Sequence, residues 1–89
     1  MDQETDEQML EQARQERKQL IKDTITSLFR PTPLLKGSDE QYRSRELYEH
    51  MCRELPIDLG YIELVECLNE LRFFRTAING EGFWLVKYA

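Results

Sequence analysis

The first third of the chain changes from mostly polar to amphipathic. Residues 2–22 contain no proline or glycine and are rich in Glu, Gln, Arg and Lys, which favour helix. The pattern predicts one helix over about residues 5–29, with a solvated or frayed first half and an anchored second half. Pro31 and Pro33 end this helix. The anchoring stripe, at i, i+3, i+4, i+7 and i+8 spacing, consists of Ile21, Thr24, Ile25, Leu28 and Phe29.

The segment after the prolines allows two interpretations. Ser38 with Gln41 fits a capping box that opens a helix early. Alternatively, residues 41–43 form a short strand, and Ser44 caps a helix that runs to Leu55. We prefer the second interpretation, because a tight apolar stripe begins there and the proline after Leu55 stops the helix. The stripe consists of Leu47, Tyr48, Met51, Cys52 and Leu55.

A third amphipathic helix is predicted over residues 59–72, with Asp58 as its cap. Its apolar side is centred on Leu68, and Trp84 is the expected inward position of the strand above it. The apolar side consists of Tyr61, Leu64, Val65, Leu68 and Leu71.

The C-terminal stretch has the pattern of a β-hairpin. Residues 73–78 and 83–88 are rich in aromatic and branched side chains, and residues 79–82 join them. Asn and Gly in this link tolerate the positive φ that tight hairpin turns require. Apolar side chains populate both faces of the predicted ribbon. One face can pack on the helices, so the other needs a cover: the long first helix, another subunit or a partner.

Charge and composition narrow the range of partners. The chain of 89 residues has 12 bases and 17 acids, a net charge of −5, and neither half is basic. A protein that binds nucleic acid through phosphates normally presents a cationic face, so this balance argues against nucleic acid. There is no apolar run of membrane-spanning length, and the polar, acidic start is unlike a signal peptide. We therefore expect a cytoplasmic protein that makes no membrane contact.

Groups that could carry chemistry are few. Cys52 and Cys67 are isolated and do not form a CxxC pair, and His50 is the single histidine. This predicts reduced thiols and no zinc site. The sequence has no glycine-rich phosphate loop, no HExxH motif and no nucleophile with an identifiable base. We therefore predict a protein without catalytic residues, metal or cofactor.

The order helix, short strand, helix, turn, helix and hairpin resembles the winged helix-turn-helix superfamily. The matching stretches are residues 44–48, 64–71, Phe73, the 80–82 wing and residues 84–86. The resemblance implies an α+β, mainly helical fold of three helices, a C-terminal β-hairpin wing and a short third strand. It places this domain over residues 31–89, after a charged N-terminal helix over residues 1–30. Such domains commonly lay their third helix in the major groove of DNA, and others use the scaffold for protein contacts.

Carried over by position, the third helix would be the recognition helix, and its exposed carboxylates would face the phosphates of DNA. DNA binding through this helix is therefore disfavoured. The glutamates would instead be a solvated face or an acidic docking surface for a basic partner. The recognition surface consists of Glu63, Glu66, Asn69, Glu70 and Arg72, and the wing consists of Asn79, Gly80, Glu81 and Gly82.

The leading functional hypothesis is a non-enzymatic binding module that acts in protein–protein interaction or regulation, including self-association as a homodimer. The first alternative is a DNA-binding winged-helix transcriptional regulator. The second alternative is a structural accessory subunit of a larger assembly.

Overall fold

The computed structural model describes residues 2–89, and the side chains from Asp6 onward. This part of the chain forms three α-helices and one four-stranded antiparallel sheet, so the α+β, mainly helical class is confirmed. The elements are α1 (Asp2–Leu28), β1 (Phe29–Pro31), a 3-10 turn (Leu35–Gly37), β2 (Glu40–Tyr42), α2 (Ser44–Glu54), α3 (Tyr61–Glu70), β3 (Phe74–Ile78) and β4 (Glu81–Tyr88).

Helix α1 has a first half that is exposed and a second half that is packed. Every residue from Asp6 to Glu16 is exposed, whereas Ile21 and Ile25 are buried in the core. At about 1.5 Å per residue its 27 residues span about 40 Å. This helix accounts for much of the 54 Å length of the molecule.

Strand β4 is the centre of the sheet because every other strand pairs with it. β2 pairs with residues 84–86 of β4, β3 with residues 81–85 and β1 with residues 86–88. Since β2 shares paired residues with both β1 and β3, it must lie on the edge of β4 opposite to them. β1 and β3 therefore lie end to end on one edge, and residues 32–39 cross from that edge to the other.

The sequence did not predict β1. Pro31 lacks a backbone N–H, and such residues are tolerated only where a strand has a free edge. The strand begins directly where α1 ends, and Phe29 lies opposite Tyr88 in the register. The backbone N–H of Ala89 donates to the Leu28 carbonyl oxygen at 3.1 Å and extends the pairing to the end of the helix.

The connection before α2 contains the short strand of the preferred interpretation, and this strand lies one residue earlier than predicted. The strand is Glu40–Tyr42, and Arg43, not Ser44, precedes the helix as its cap. The Arg43 N–H donates to Glu46 Oε1 at 3.2 Å. The alternative interpretation, in which a helix begins at Ser38, is wrong. The Ser38 hydroxyl donates to the Leu35 carbonyl oxygen and accepts from the Gln41 side chain.

Helix α3 starts two residues later than predicted, and the assignment of Asp58 as its cap is wrong. Gly60 precedes the helix, and its backbone N–H donates to Glu63 Oε1 at 3.2 Å. The carboxylate in the first turn therefore satisfies the free donor that an Asp58 cap would have served. The helix ends at Glu70, because Arg72 adopts a positive φ of 63°.

The hairpin forms with a tighter turn than predicted. Asn79 and Gly80 have φ values of 52° and 81°, which fit a two-residue turn, and Glu81 and Gly82 already belong to β4.

One core joins α1, α2, α3 and the inner face of the sheet. The predicted central positions are confirmed, with Leu68 and Trp84 1% and 3% exposed. The Trp84 indole N–H donates to Ser44 Oγ at 3.0 Å, which ties β4 to the start of α2. The core consists of Ile21, Ile25, Phe29, Leu47, Met51, Leu55, Leu59, Leu64, Cys67, Leu68, Phe73, Trp84 and Val86.

Candidate interaction surfaces

The glutamates of the predicted recognition surface bind the first helix of the same chain. Each of the three forms an ion pair with a base on α1, across a sequence separation of more than forty residues. We call this set of contacts the α1–α3 seam. The pairs are Arg17 Nε–Glu63 Oε2 at 2.6 Å, Lys18 Nζ–Glu66 Oε2 at 3.1 Å, Lys18 Nζ–Glu70 Oε2 at 3.1 Å and Lys22 Nζ–Glu70 Oε1 at 3.6 Å.

The seam lies over the core and is closed by further contacts. Arg17 also donates to the carbonyl oxygen of Asp58, just before α3. Beneath the ion pairs, the buried Cys67 thiol donates to the Lys18 carbonyl oxygen, with 3.9 Å between sulfur and oxygen. Burial raises the pKa of the Cys67 thiol, so it remains protonated at neutral pH.

The protonation states of the seam reflect these pairings. Hydrogen bonds to Glu66 and Glu70 raise the pKa of Lys18 above its ordinary value of 10.5. The hydrogen bond from Lys18 lowers the pKa of Glu70 below its ordinary value of 4.5. Both shifts stabilise the charged forms, so Lys18 and Glu70 are ionised at neutral pH.

The bases of the seam were not singled out from the sequence. Arg17, Lys18 and Lys22 are three of the four bases in an otherwise acidic segment, and they surround the start of the apolar stripe of α1. Glutamates occupy the corresponding border of the α3 stripe. Opposite charges along the borders of two apolar stripes are the pattern that could have indicated the pairing.

The other two predicted recognition residues lie at the exposed C-terminal end of α3. Asn69 and Arg72 are both exposed. The Arg72 N–H donates to the Asn69 carbonyl oxygen at 3.0 Å in the turn that ends the helix. Neither residue takes part in the ion pairs of the seam.

The β3–β4 hairpin, predicted as the wing, is held near its turn by two arginines. Arg43 Nη2 lies 2.7 Å from Glu81 Oε2, and its guanidinium lies 5.5 Å from the centre of the Phe83 ring. The Arg75 guanidinium lies 6.0 Å from the Trp84 ring and fills the space beside Gly82. A Cβ atom at Gly82 would lie 2.6 Å from Arg75 Nε, so glycine leaves room for this side chain.

The free half of α1 is an acidic helix with exposed apolar side chains. Residues 6–16, which we call the acidic arm, hold four acids and one base, a net charge of −3. Met9 and Leu10 are 63% and 61% exposed. Each of its side chains is exposed, so contact with another surface would stabilise this half of the helix.

The face of the sheet opposite the core is apolar at its centre and basic at one end. Side chains alternate between the two faces along β4. Trp84 and Val86 point to the core, so Phe83, Leu85 and Lys87 lie on the opposite face. Leu85 lies between Gln41 and Phe74 in the register and is 1% exposed, while Phe74 is 46% exposed. We call this surface the outer face: Arg30, Phe74, Ile78, Phe83, Leu85 and Lys87.

The basic end of the outer face has unpaired like charges. Arg30 lies directly opposite Lys87 in the register, and both side chains are exposed. Neither forms an ion pair with any residue in the described part of the chain. Like charges at directly opposite positions destabilise a sheet, so this pair favours an anionic neighbour.

His50 and Tyr88 both contact neighbouring side chains. His50 is half-buried, and the centre of its ring lies 5.6 Å from that of Phe29 and 6.0 Å from that of Tyr42. The Tyr88 hydroxyl donates to Glu40 Oε2 at 2.9 Å, and this bond raises the pKa of Tyr88 to about 12. Among the side chains described, those of residues 6–89, no group of three or more His, Cys, Asp or Glu is arranged to hold a metal ion.

Comparison with protein-family models, curated proteins and solved structures finds no match to this chain. No helix in the described residues combines the length and hydropathy needed to cross a bilayer.

Proposed function

We propose that this chain is a winged-helix-type domain that acts by binding proteins and has no catalytic role. The order of α1, β2, α2, α3 and the β3–β4 hairpin supports this fold, as does the position of β4 between β2 and β3. The two-residue turn of the hairpin would be the tip of the wing. β1 is then a short addition that continues the β3 edge of the sheet.

One observation carries the choice of a protein partner. The acidic arm exposes Met9 and Leu10, although a helix gains nothing by keeping large apolar side chains in water. The outer face likewise exposes Phe74. Exposed apolar side chains on two separate elements favour a protein surface as partner over the phosphates of DNA.

The seam argues against DNA reading by α3. The glutamates that would face the groove are neutralised by α1, and α1 lies against this side of α3. Entry of α3 into a major groove through this face would require the separation of Lys18 from both of its carboxylate partners. A winged-helix transcriptional regulator therefore remains the less favoured function, and a structural accessory subunit is one form of the protein-binding role.

A duplex titration tests this proposal. Fluorescence anisotropy of labelled duplex DNA, at low and at physiological salt, is compared for the native chain and for the triple variant Glu63→Gln, Glu66→Gln, Glu70→Gln. We expect no binding by the native chain at physiological salt, and some salt-sensitive binding by the variant, since it loses three charges and frees three bases. Tight binding by the native chain that the triple substitution weakens would overturn the proposal.

A further inference from the structure

We infer that the outer face is the docking site for the acidic arm of a second copy of this chain, and that two copies exchange arms. This inference rests on the proposed protein-binding function and names its partner. It follows from three observations: the chemistry of the arm, the chemistry of the outer face and the position of each in the fold.

The two surfaces complement each other in charge and polarity. The arm offers apolar Met9 and Leu10 among the carboxylates of Asp6, Glu7 and Glu11. The outer face offers the ring of Phe74, which is 46% exposed beside the buried Leu85, and the unpaired cations Arg30 and Lys87 at its end. Docking would cover apolar side chains on both surfaces and place carboxylates beside the opposed bases, which relieves their repulsion.

The dimensions also agree. The eleven residues of the arm span about 16 Å as a helix. The eight residues of β4 span about 26 Å as a strand, so the arm fits along the face of the sheet.

The arm cannot reach its own outer face. It continues α1 without a break, and α1 is fixed to the domain through Ile21, Ile25 and the ion pairs of Lys18. Only a second molecule can bring an arm to this surface. Because each copy has one arm and one outer face, a reciprocal exchange closes a two-fold dimer and leaves neither surface free.

Charge reversal tests this arrangement in the full chain. Sedimentation velocity gives the mass of the native chain, of the sheet variant Arg30→Glu, Lys87→Glu, of the arm variant Glu7→Lys, Glu11→Lys, and of the variant that combines all four changes. We expect a dimer for the native chain, at least tenfold weaker dimerisation for each pair of changes alone, and recovery of the dimer in the combined variant. Recovery also shows that the reversed side chains do not prevent folding.

A matched control reverses two exposed charges away from both surfaces. The variant Arg53→Glu, Glu54→Lys changes the last turn of α2 and should leave the dimer intact. A native chain that is monomeric at all concentrations overturns the inference. So does a dimer that survives the sheet variant, because the arms would then pair with each other.

The outer face also combines bases with aromatic rings, a combination found on surfaces that bind single-stranded nucleic acid. A titration of the native chain and the sheet variant with a single-stranded oligonucleotide covers this outcome. Binding that the sheet variant abolishes would assign the face to nucleic acid and overturn the arm exchange. None of these results resembles the duplex binding through α3 that would overturn the proposed function, so the two failures can be told apart.

Discussion

Lys18 and Glu70, 52 positions apart in the sequence, are joined by an ion pair of 3.1 Å between Nζ and Oε2. Lys18 lies at the same distance from Glu66, so a single ammonium group bridges two successive turns of α3. Multiple pairs in one network hold an orientation better than an isolated surface pair does. The pairing therefore fixes how α1 lies on α3, and thereby the direction in which the acidic arm leaves the domain.

The seam predicts a dependence of stability on pH at both extremes. The folded pKa of Glu70 lies below its ordinary value of 4.5, so ionised Glu70 stabilises the fold above that pH, and the contribution is lost as the pH falls through the lowered pKa. The folded pKa of Lys18 lies above 10.5, so its contribution is present below that pH and is lost as the pH rises through the raised pKa.

Thermal melts across this range check the prediction. Glu70→Gln should lower the melting temperature at neutral pH and flatten its fall on the acid side. Glu54→Gln, a change of an exposed carboxylate on α2, is the control and should leave the acid limb as in the native chain. An unchanged acid limb in Glu70→Gln would show that the carboxylate of Glu70 contributes nothing to stability.

Truncation of Leu68 should show where the core is centred. Leu68→Ala is expected to lower the free energy of unfolding by about 2–5 kcal/mol, because a buried leucine leaves a cavity that the surroundings fill only in part. Ile62→Ala on the same helix is the control, since Ile62 is 71% exposed and its loss should change stability by less than about 0.5 kcal/mol. Urea denaturation measures both. A loss below about 1 kcal/mol for Leu68→Ala would contradict the assigned core.

Deletions should separate the two halves of α1. Removal of residues 2–16 takes away no core side chain, so the melting temperature at concentrations too low for association should stay nearly unchanged. Removal of residues 2–29 takes away Ile21, Ile25 and Phe29 together with half of the seam, and should cause aggregation or unfolding. Light scattering and thermal melts distinguish the two. A shorter chain that melts many degrees lower would mean that the arm belongs to the folding unit.

The Tyr88–Glu40 hydrogen bond should be visible in a spectroscopic titration. The bond stabilises the neutral phenol, so the last phenolate to appear in the ultraviolet spectrum should have a pKa of about 12. In Glu40→Gln this step should move toward the ordinary value of 10.0. Tyr88→Phe should remove the step altogether and identifies it among the four tyrosines. A step that persists in Tyr88→Phe would assign it to another ring.

The secondary-structure elements that could be predicted from the sequence are those that depend on neighbouring residues. The stripe of Ile21 and Ile25, the apolar side of α3 and the Asn79-Gly80 turn each specify their element from a few neighbouring residues, and each is present. β1 could not be predicted in this way. Its three residues contain a proline, and they form a strand only because the end of β4 offers an edge on which they can pair.

The seam was missed for a related reason. On a single helix, Glu63, Glu66 and Glu70 look like a solvated face, and nothing within α3 indicates a partner. Their partners lie in a segment that is itself charged and reads as solvent-exposed. Only the packing of the two apolar stripes brings the charged borders together, so the pairing is a property of tertiary structure.

The position of β4 at the centre of the sheet has a consequence for the nascent chain. The other strands precede β4 in the sequence, and β1 must find a neighbour nearly sixty positions away, as the pairing of Phe29 with Tyr88 requires. While the ribosome is still adding residues 81–88, the three helices can form, but β1, β2 and β3 have no complete strand with which to pair. Distant pairings of this kind slow folding and leave apolar surface uncovered in the meantime. Phe29, which is 2% exposed in the finished fold, is therefore a side chain that a chaperone would cover before synthesis of β4 is complete.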